Sequence, residues 1–117
     1  MPNTPPNSSQ LEAVNNQYLD RDYEVKVLVP EFTCVCPRTG QPDFASIEII
    51  YTPDKFIIEL KSLKLYMQTY RGLGMFHENV INKILDDFNL ASNPRKLKII
   101  GSFNARGGIS TVVEAKI

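Results

Sequence analysis

The stretch Phe32-Thr33-Cys34-Val35-Cys36-Pro37-Arg38-Thr39-Gly40-Gln41-Pro42-Asp43-Phe44 decides the fold. Pro37 and Pro42 fix their own φ and drive the residues before them toward extended conformations. Gly40 permits a positive φ between them. The stretch is therefore a bent, stiff connector. It carries a thiol at Cys36 and a carboxylate at Asp43, and a rigid loop can bring both onto one small molecule. Read without that chemistry, it is a Pro-Gly turn between two strands that contains a cysteine.

Both flanks read as strands. Tyr23, Val25, Val27 and Val29 alternate with Glu24, Lys26 and Leu28 until Pro30 interrupts the run. If Phe32 to Cys36 continues extended, Cys34 and Cys36 point the same way. Beyond the connector, Ala45, Ile47 and Ile49 alternate with Ser46 and Glu48 over Phe44 to Thr52, and Pro53-Asp54 ends the run. The connector is too short for a helical crossover, so these two strands are antiparallel neighbours.

The period then changes. Leu60, Leu63, Tyr66, Met67 and Tyr70 recur at three- and four-residue steps, closed by Gly72 and Gly74, which predicts a helix. A second helix spans about Met75 to Leu90, with a stripe of Phe76, Val80, Ile84, Leu85 and Phe88, stopped by Asn93-Pro94. Leu97 to Ala105 reads as a third strand, Arg106-Gly107-Gly108 as a tight turn, and Ile109 to Ile117 as a fourth. The order β-β-α-α-β-β predicts an α+β fold, an antiparallel four-stranded sheet with two helices on one face. Such a sheet leaves edges open to pairing with another chain, so a cyclic homo-oligomer is expected.

Residues 1–20 read as a flexible polar tail, with Pro2, Pro5 and Pro6 among Asn, Thr, Ser and Gln. Leu11 to Leu19 could form at most a turn of helix there. The domain proper is expected over 21–117. At 117 residues and 43% hydrophobic, the chain suits one domain with a small core. Thirteen basic residues balance thirteen acidic ones, which argues against general attraction to nucleic acid or acidic membranes. No apolar run reaches bilayer length, and no apolar secretory leader is visible at the start. Cys34 and Cys36, with one residue between them, make a poor disulfide. A reducing cytoplasm is the expected compartment.

Four features bear on chemistry, and each also has a plain structural reading. Cys36 with Asp43 supplies a nucleophile and a proton carrier. His77, the only histidine, precedes Glu78 at the start of the second helix. Glu78 either answers the helix dipole or accepts paired N–H donors from a guanine-like ring. Glu59-Leu60-Lys61-Ser62-Leu63-Lys64-Leu65-Tyr66 is either an amphipathic helix start or a cationic cradle for phosphates. Arg106-Gly107-Gly108-Ile109-Ser110 is either a hairpin turn or an anion-binding turn.

Together these motifs resemble, in order and spacing, the NADPH-dependent 7-cyano-7-deazaguanine reductases, the nitrile reductases of queuosine biosynthesis (the QueF family), in their short single-module form. The resemblance runs from about Tyr23 to the end. It rests on Glu31-Phe32-Thr33, on Cys36 through Phe44, on the octad Glu59 to Tyr66, on Phe76-His77-Glu78, and on Arg106 to Ser110. The octad separates this family from cyclohydrolases of the same fold. The resemblance implies the tunnelling fold, in which subunits join into barrel-like rings with sites between them. It implies Cys36 as the nucleophile that forms a thioimide and Asp43 as the acid that protonates the nitrile nitrogen. It implies His77 and Glu78 as the substrate-binding pair, with Ile58, Glu59 and Leu60 as a second substrate-contacting segment. The octad's lysines match a segment associated with NADPH, and we assign phosphate contacts to Lys61, Lys64 and Arg106. Two NADPH would be consumed per nitrile reduced to the primary amine.

This sequence has Asn79 and Val80 where some family members carry a cysteine able to protect the nucleophile as a disulfide. Two other readings are weighed. One is a zinc-dependent cyclohydrolase of the same fold, with Cys34, Cys36 and His77 as ligands. The other is a non-catalytic purine- or pterin-binding oligomer, which would use Glu78 but neither Cys36 nor Asp43.

Overall fold

A computed structural model describes residues 4–117. Four strands form the main sheet: β2 (Val25–Val35), β3 (Pro42–Thr52), β5 (Lys96–Arg106) and β6 (Ile109–Lys116), in spatial order β2-β3-β5-β6, all antiparallel. Between β3 and β5 the chain forms β4 (Phe56–Ile58), α1 (Leu60–Gln68) and α2 (His77–Ser92). The α+β class and the antiparallel sheet are as expected.

The core lies between the sheet and the helices. Ala45, Ile47, Ile49 and Tyr51 of β3 and Leu97, Ile99 and Phe103 of β5 are buried, facing Leu63, Tyr66, Met67 and Tyr70 from α1 and its C-terminal turn, and Val80, Ile81, Ile84 and Phe88 from α2. Leu60 and Phe76, placed by periodicity on the apolar stripes, are instead exposed. Both sit at helix starts, where the stripe runs off the sheet. Gly101 lets α2 approach β5 closely, since a Cβ there would lie 2.4 Å from Ile81 Cδ1. The two helices are tied by polar groups: the Tyr66 hydroxyl donates to Asp87 Oδ2 at 2.6 Å and meets the Tyr70 hydroxyl at 2.7 Å.

Three expectations are corrected. The first strand, read as Tyr23 to Val29 with a conditional continuation over Phe32 to Cys36, starts at Val25 and does not end at Pro30. It runs on to Val35, with a bulge between Val29 and Phe32. Proline has no N–H to give, and a bulge on an edge strand asks for none there. The extra residue reverses the alternation, so Val25, Val27 and Val29 face the core before it and Phe32 and Cys34 after it.

The second correction concerns the stretch read as a polar tail; Met1–Asn3 lie outside the described residues. Ser8–Gln10 form a 3-10 turn, Leu11 is buried, and Ala13–Asn15 form a strand, β1, antiparallel to β4. The third is that no helical turn forms over Leu11 to Leu19. Asn16 is one of the groups that tie this polar segment down. Its backbone N–H donates to Lys55 O and its side-chain amide to Asp54 O, both at 2.8 Å, while its Oδ1 accepts from the Tyr23 hydroxyl at 2.6 Å. Glu12 N–H donates to Ser62 Oγ, and Glu59 N–H donates to Glu12 O. The N-terminal segment thus straps β4 and the start of α1.

Candidate active site

The connector folds as its prolines and glycine require. Cys36 N–H donates to Gln41 O and Gly40 N–H donates to Cys36 O, each at 2.9 Å, with Gly40 at φ 74°. The loop after α1 clips onto its base: Val35 N–H donates to Leu73 O and Met75 N–H donates to Val35 O. Gly74 packs beside Pro37, whose Cα lies 3.4 Å from where a Cβ would stand, an ordinary contact distance. The start of α2, with His77, is thereby delivered beside the connector.

The two thiols behave oppositely. Cys34 is fully buried on the core face, and burial first, then the nearby Asp43, push its thiol up to about 11. Cys36 is partly exposed, and its thiol is lowered to about 6. The Thr39 hydroxyl is the main cause, followed by the backbone N–H groups of Arg38 and Thr39, with a smaller contribution from the Arg106 guanidinium. Donors aimed at sulfur favour the thiolate, as at other reactive cysteines.

Asp43, at the start of β3, is only 8% exposed. Its Oδ2 lies 3.0 Å from His77 Nε2 and its Oδ1 3.0 Å from Arg106 Nη1. The His77 ring stacks on Phe103, centroids 3.8 Å apart and planes 7° from parallel. Arg106 also donates from Nη2 to Thr39 Oγ1 at 3.3 Å. Three segments distant in sequence, the connector, the start of α2 and the end of β5, therefore meet around Asp43 and the loop that carries Cys36.

Among the described residues, the others singled out from the sequence make no side-chain hydrogen bond or ion pair to this cluster. Glu78 is exposed on the first turn of α2. Glu59 is the N-cap of α1, accepting from Lys61 N–H at 2.8 Å and Ser62 N–H at 2.7 Å, which holds its carboxyl below the ordinary value. Ile58 is buried in β4, and Leu60 is 63% exposed. Lys61 and Lys64 are exposed on α1. Lys64 borders a groove of about 460 Å³ between α1 and β2, with Arg71 also on its wall and Leu63 and Met67 among its apolar lining. Arg106, assigned to phosphate with those lysines, contacts Asp43 and Thr39. Sequence reading gave Thr39 and Phe103 no role. Thr39 lay inside the quoted connector, but nothing local shows that its hydroxyl faces sulfur. Phe103 reads as core until His77 is seen against it.

The three zinc ligands imagined from sequence do not gather. Cys34 faces the core, His77 Nε2 is taken by Asp43, and among the described residues no group of three or more His, Cys, Asp or Glu side chains is placed to hold a metal ion.

Fold and site together define a tunnelling-fold protein with a thiol–carboxylate centre. Residues 42–117 match the model of the QueF-like protein family. The chain is 54% identical over 116 residues to a protein of Thermomicrobium roseum named NADPH-dependent 7-cyano-7-deazaguanine reductase, covering 99% of this chain and 89% of that protein. It is 49% identical to the protein of that name from Nitrosococcus oceani, over 99% of this chain and 88% of that one. The fold is shared with the crystal structure of the archaeosine synthase QueF-Like in the apo form, at a TM-score of 0.75 and 22% identity, covering 80% of this chain and 91% of that one. The chain belongs to the QueF family.

Proposed function

We infer that this chain reduces the nitrile of 7-cyano-7-deazaguanine to the aminomethyl group with NADPH, through a covalent adduct on Cys36, in the cytoplasm as a step of queuosine biosynthesis. The observation that carries the reading is the pairing of an easily ionised, accessible thiol with a nearly buried carboxylate hydrogen-bonded to a histidine. A nitrile carbon is a poor hydride acceptor. Addition of the Cys36 thiolate forms the C–S bond and moves an electron pair onto the nitrile nitrogen, which must gain a proton. The Asp43–His77 pair can supply it at that nitrogen, because a proton shared across 3.0 Å reaches Asp43 without passing through bulk water. The thioimide that results is the better acceptor.

NADPH, when bound, supplies the hydride. The groove between α1 and β2 suits it chemically: Lys64 and Arg71 offer cations to phosphates beside apolar Leu63 and Met67, and Lys61 lies one turn away. Glu78 is the acceptor for the ring's paired N–H donors, and Ile58, Glu59 and Leu60 form a second contact segment. The exposure of Glu78 and Leu60 fits a site completed by a neighbouring copy. So do the open outer edges of β2 and β6 and the apolar Leu28 and Val112 exposed on those strands. A barrel-like ring of identical subunits satisfies both. The zinc cyclohydrolase reading is not favoured.

The test is incubation with 7-cyano-7-deazaguanine, followed by mass analysis. Without NADPH the protein gains one substrate mass on Cys36. With NADPH the aminomethyl product appears. Cys36→Ala abolishes both and Cys34→Ala neither. An adduct on Cys34, or turnover by Cys36→Ala, refutes the assignment.

A further inference from the structure

We propose that Arg106 is a positioning residue of the addition step: it ties the loop that carries the thiol to the carboxylate that protonates, and so sets the distance between them. The proposal rests on the nitrile-reductase reading. Its evidence is a bridge. Arg106 Nη1 lies 3.0 Å from Asp43 Oδ1, and Nη2 lies 3.3 Å from Thr39 Oγ1. Thr39 is the hydroxyl that most stabilises the Cys36 thiolate. One planar guanidinium thus spans the loop and the following strand, and its fixed fork makes that span rigid.

The backbone is built to place it there. Phe103 pairs with Thr111, but Arg106 pairs with Ile109, so one extra residue sits in β5 between them. In a regular strand the three steps from Phe103 to Arg106 would put them on opposite faces. The bulge brings Arg106 back to the face where Phe103 packs on His77 and where Asp43 points. Gly107 and Gly108, at φ 60° and 81°, close the hairpin at once, so the arginine stands on a short, stiff tip. Nη1 is fully buried with no well-directed hydrogen bond, and only the ion pair to Asp43 answers it. A buried guanidinium N–H held so is costly unless that carboxylate stays in place.

Charge points the same way. The ionisable groups of the cluster are Cys36, Asp43, His77 and Arg106, with Cys34 behind them in the core. Arg106 is the permanent cation of the cluster, paired with Asp43 and hydrogen-bonded toward the Cys36 sulfur. Removing it unties the loop from Asp43, and a misplacement of about 1 Å can cost ~10² in rate.

Arg106→Gln and Arg106→Lys test this by three measurements: adduct formation with 7-cyano-7-deazaguanine in rapid mixing without NADPH, iodoacetamide alkylation of Cys36 against pH, and NADPH affinity. We expect Arg106→Gln to slow adduct formation by ~10² and to move the alkylation midpoint to higher pH, with NADPH affinity little changed. Arg106→Lys restores part of both losses. Unchanged adduct formation and alkylation, with NADPH affinity lost, overturn the proposal and return Arg106 to the cofactor. If Arg106→Gln does not fold, Thr39→Val cuts the other end of the bridge. Because Thr39 also donates directly to sulfur, a raised midpoint is expected there in either case; an adduct rate that falls further than the lost thiolate fraction supports the proposal, and one that falls only in proportion refutes it. If the wild-type protein forms no adduct, the function reading fails, and the alkylation profile still decides whether Arg106 organises the thiol.

Discussion

Asp43 Oδ2 and His77 Nε2 meet at 3.0 Å across 34 residues of chain. The contact joins the start of β3 to the start of α2, and the Val35–Gly74 bridge sets the distance. Asp43→Asn keeps the shape and a hydrogen bond to His77 but removes the acidic proton. We expect the variant to fold and to bind substrate, with adduct formation slowed by about 10²–10⁴, the usual contribution of a positioned acid. Rapid mixing without NADPH measures this. A wild-type adduct rate with failed NADPH oxidation would move Asp43 to the hydride steps.

The two thiols should separate by pH. The Cys36 thiol, lowered to about 6, is protonated below that value and thiolate above it. Alkylation by iodoacetamide should rise through pH 6 and level off near neutrality. Cys34, raised to about 11 and buried, stays unlabelled until the protein unfolds. Peptide mapping after labelling at pH 5, 6, 7 and 8 checks both, and labelling of native Cys34 at pH 7 would contradict the structure.

Asn16 should matter to stability far more than its place in a polar segment suggests. It is 6% exposed, and both ends of its side chain are hydrogen-bonded. Asn16→Ala leaves Tyr23 Oη and Asp54 O without this partner, which costs about 1–3 kcal/mol. Denaturant unfolding measures the loss. A change under a few tenths would show that the N-terminal strap is incidental.

Much of this was legible in the sequence, for physical reasons that can be named. Ala45, Ile47 and Ile49 gave the core face of β3 because strand alternation is strict, and Pro37, Gly40 and Pro42 gave the connector because each restricts φ. The Pro30 bulge was not legible, since a proline alone cannot distinguish the end of a strand from an interruption at its edge. The β1 strand was missed because its residues are exposed and it is held by Asn16, whose partners come from residues far along the chain. At the site, Cys36 and Asp43 were expected together across the connector and His77 was singled out, but the approach of His77 and Arg106 to Asp43 was not legible. It depends on two bulges and on a loop docking against Val35, and no periodicity records those.

The packing of α2 on β5 links core and site, and one glycine controls it. A Cβ on Gly101 would stand 2.4 Å from Ile81 Cδ1 and 3.1 Å from Phe103 Cε1. Ile81 is fully buried and cannot swing into water. Gly101→Ala therefore forces the helix outward or Ile81 off its rotamer, at a cost of about 1–3 kcal/mol. Moving α2 also moves His77 at its first turn and Phe103 beneath the imidazole, so adduct formation should fall along with stability. Ile81→Val removes Cδ1 but keeps a γ-carbon at the Cγ1 position, 2.9 Å from the added Cβ, so it relieves part of the clash. Alone it costs about 0.5–1.5 kcal/mol as a small cavity, and in the Gly101→Ala background it should cost less than that. A double-mutant cycle on unfolding free energy reads that coupling. Additive effects would mean that α2 is not seated on Gly101 through Ile81, and that the distance from His77 to Asp43 is set by the Val35 bridge alone.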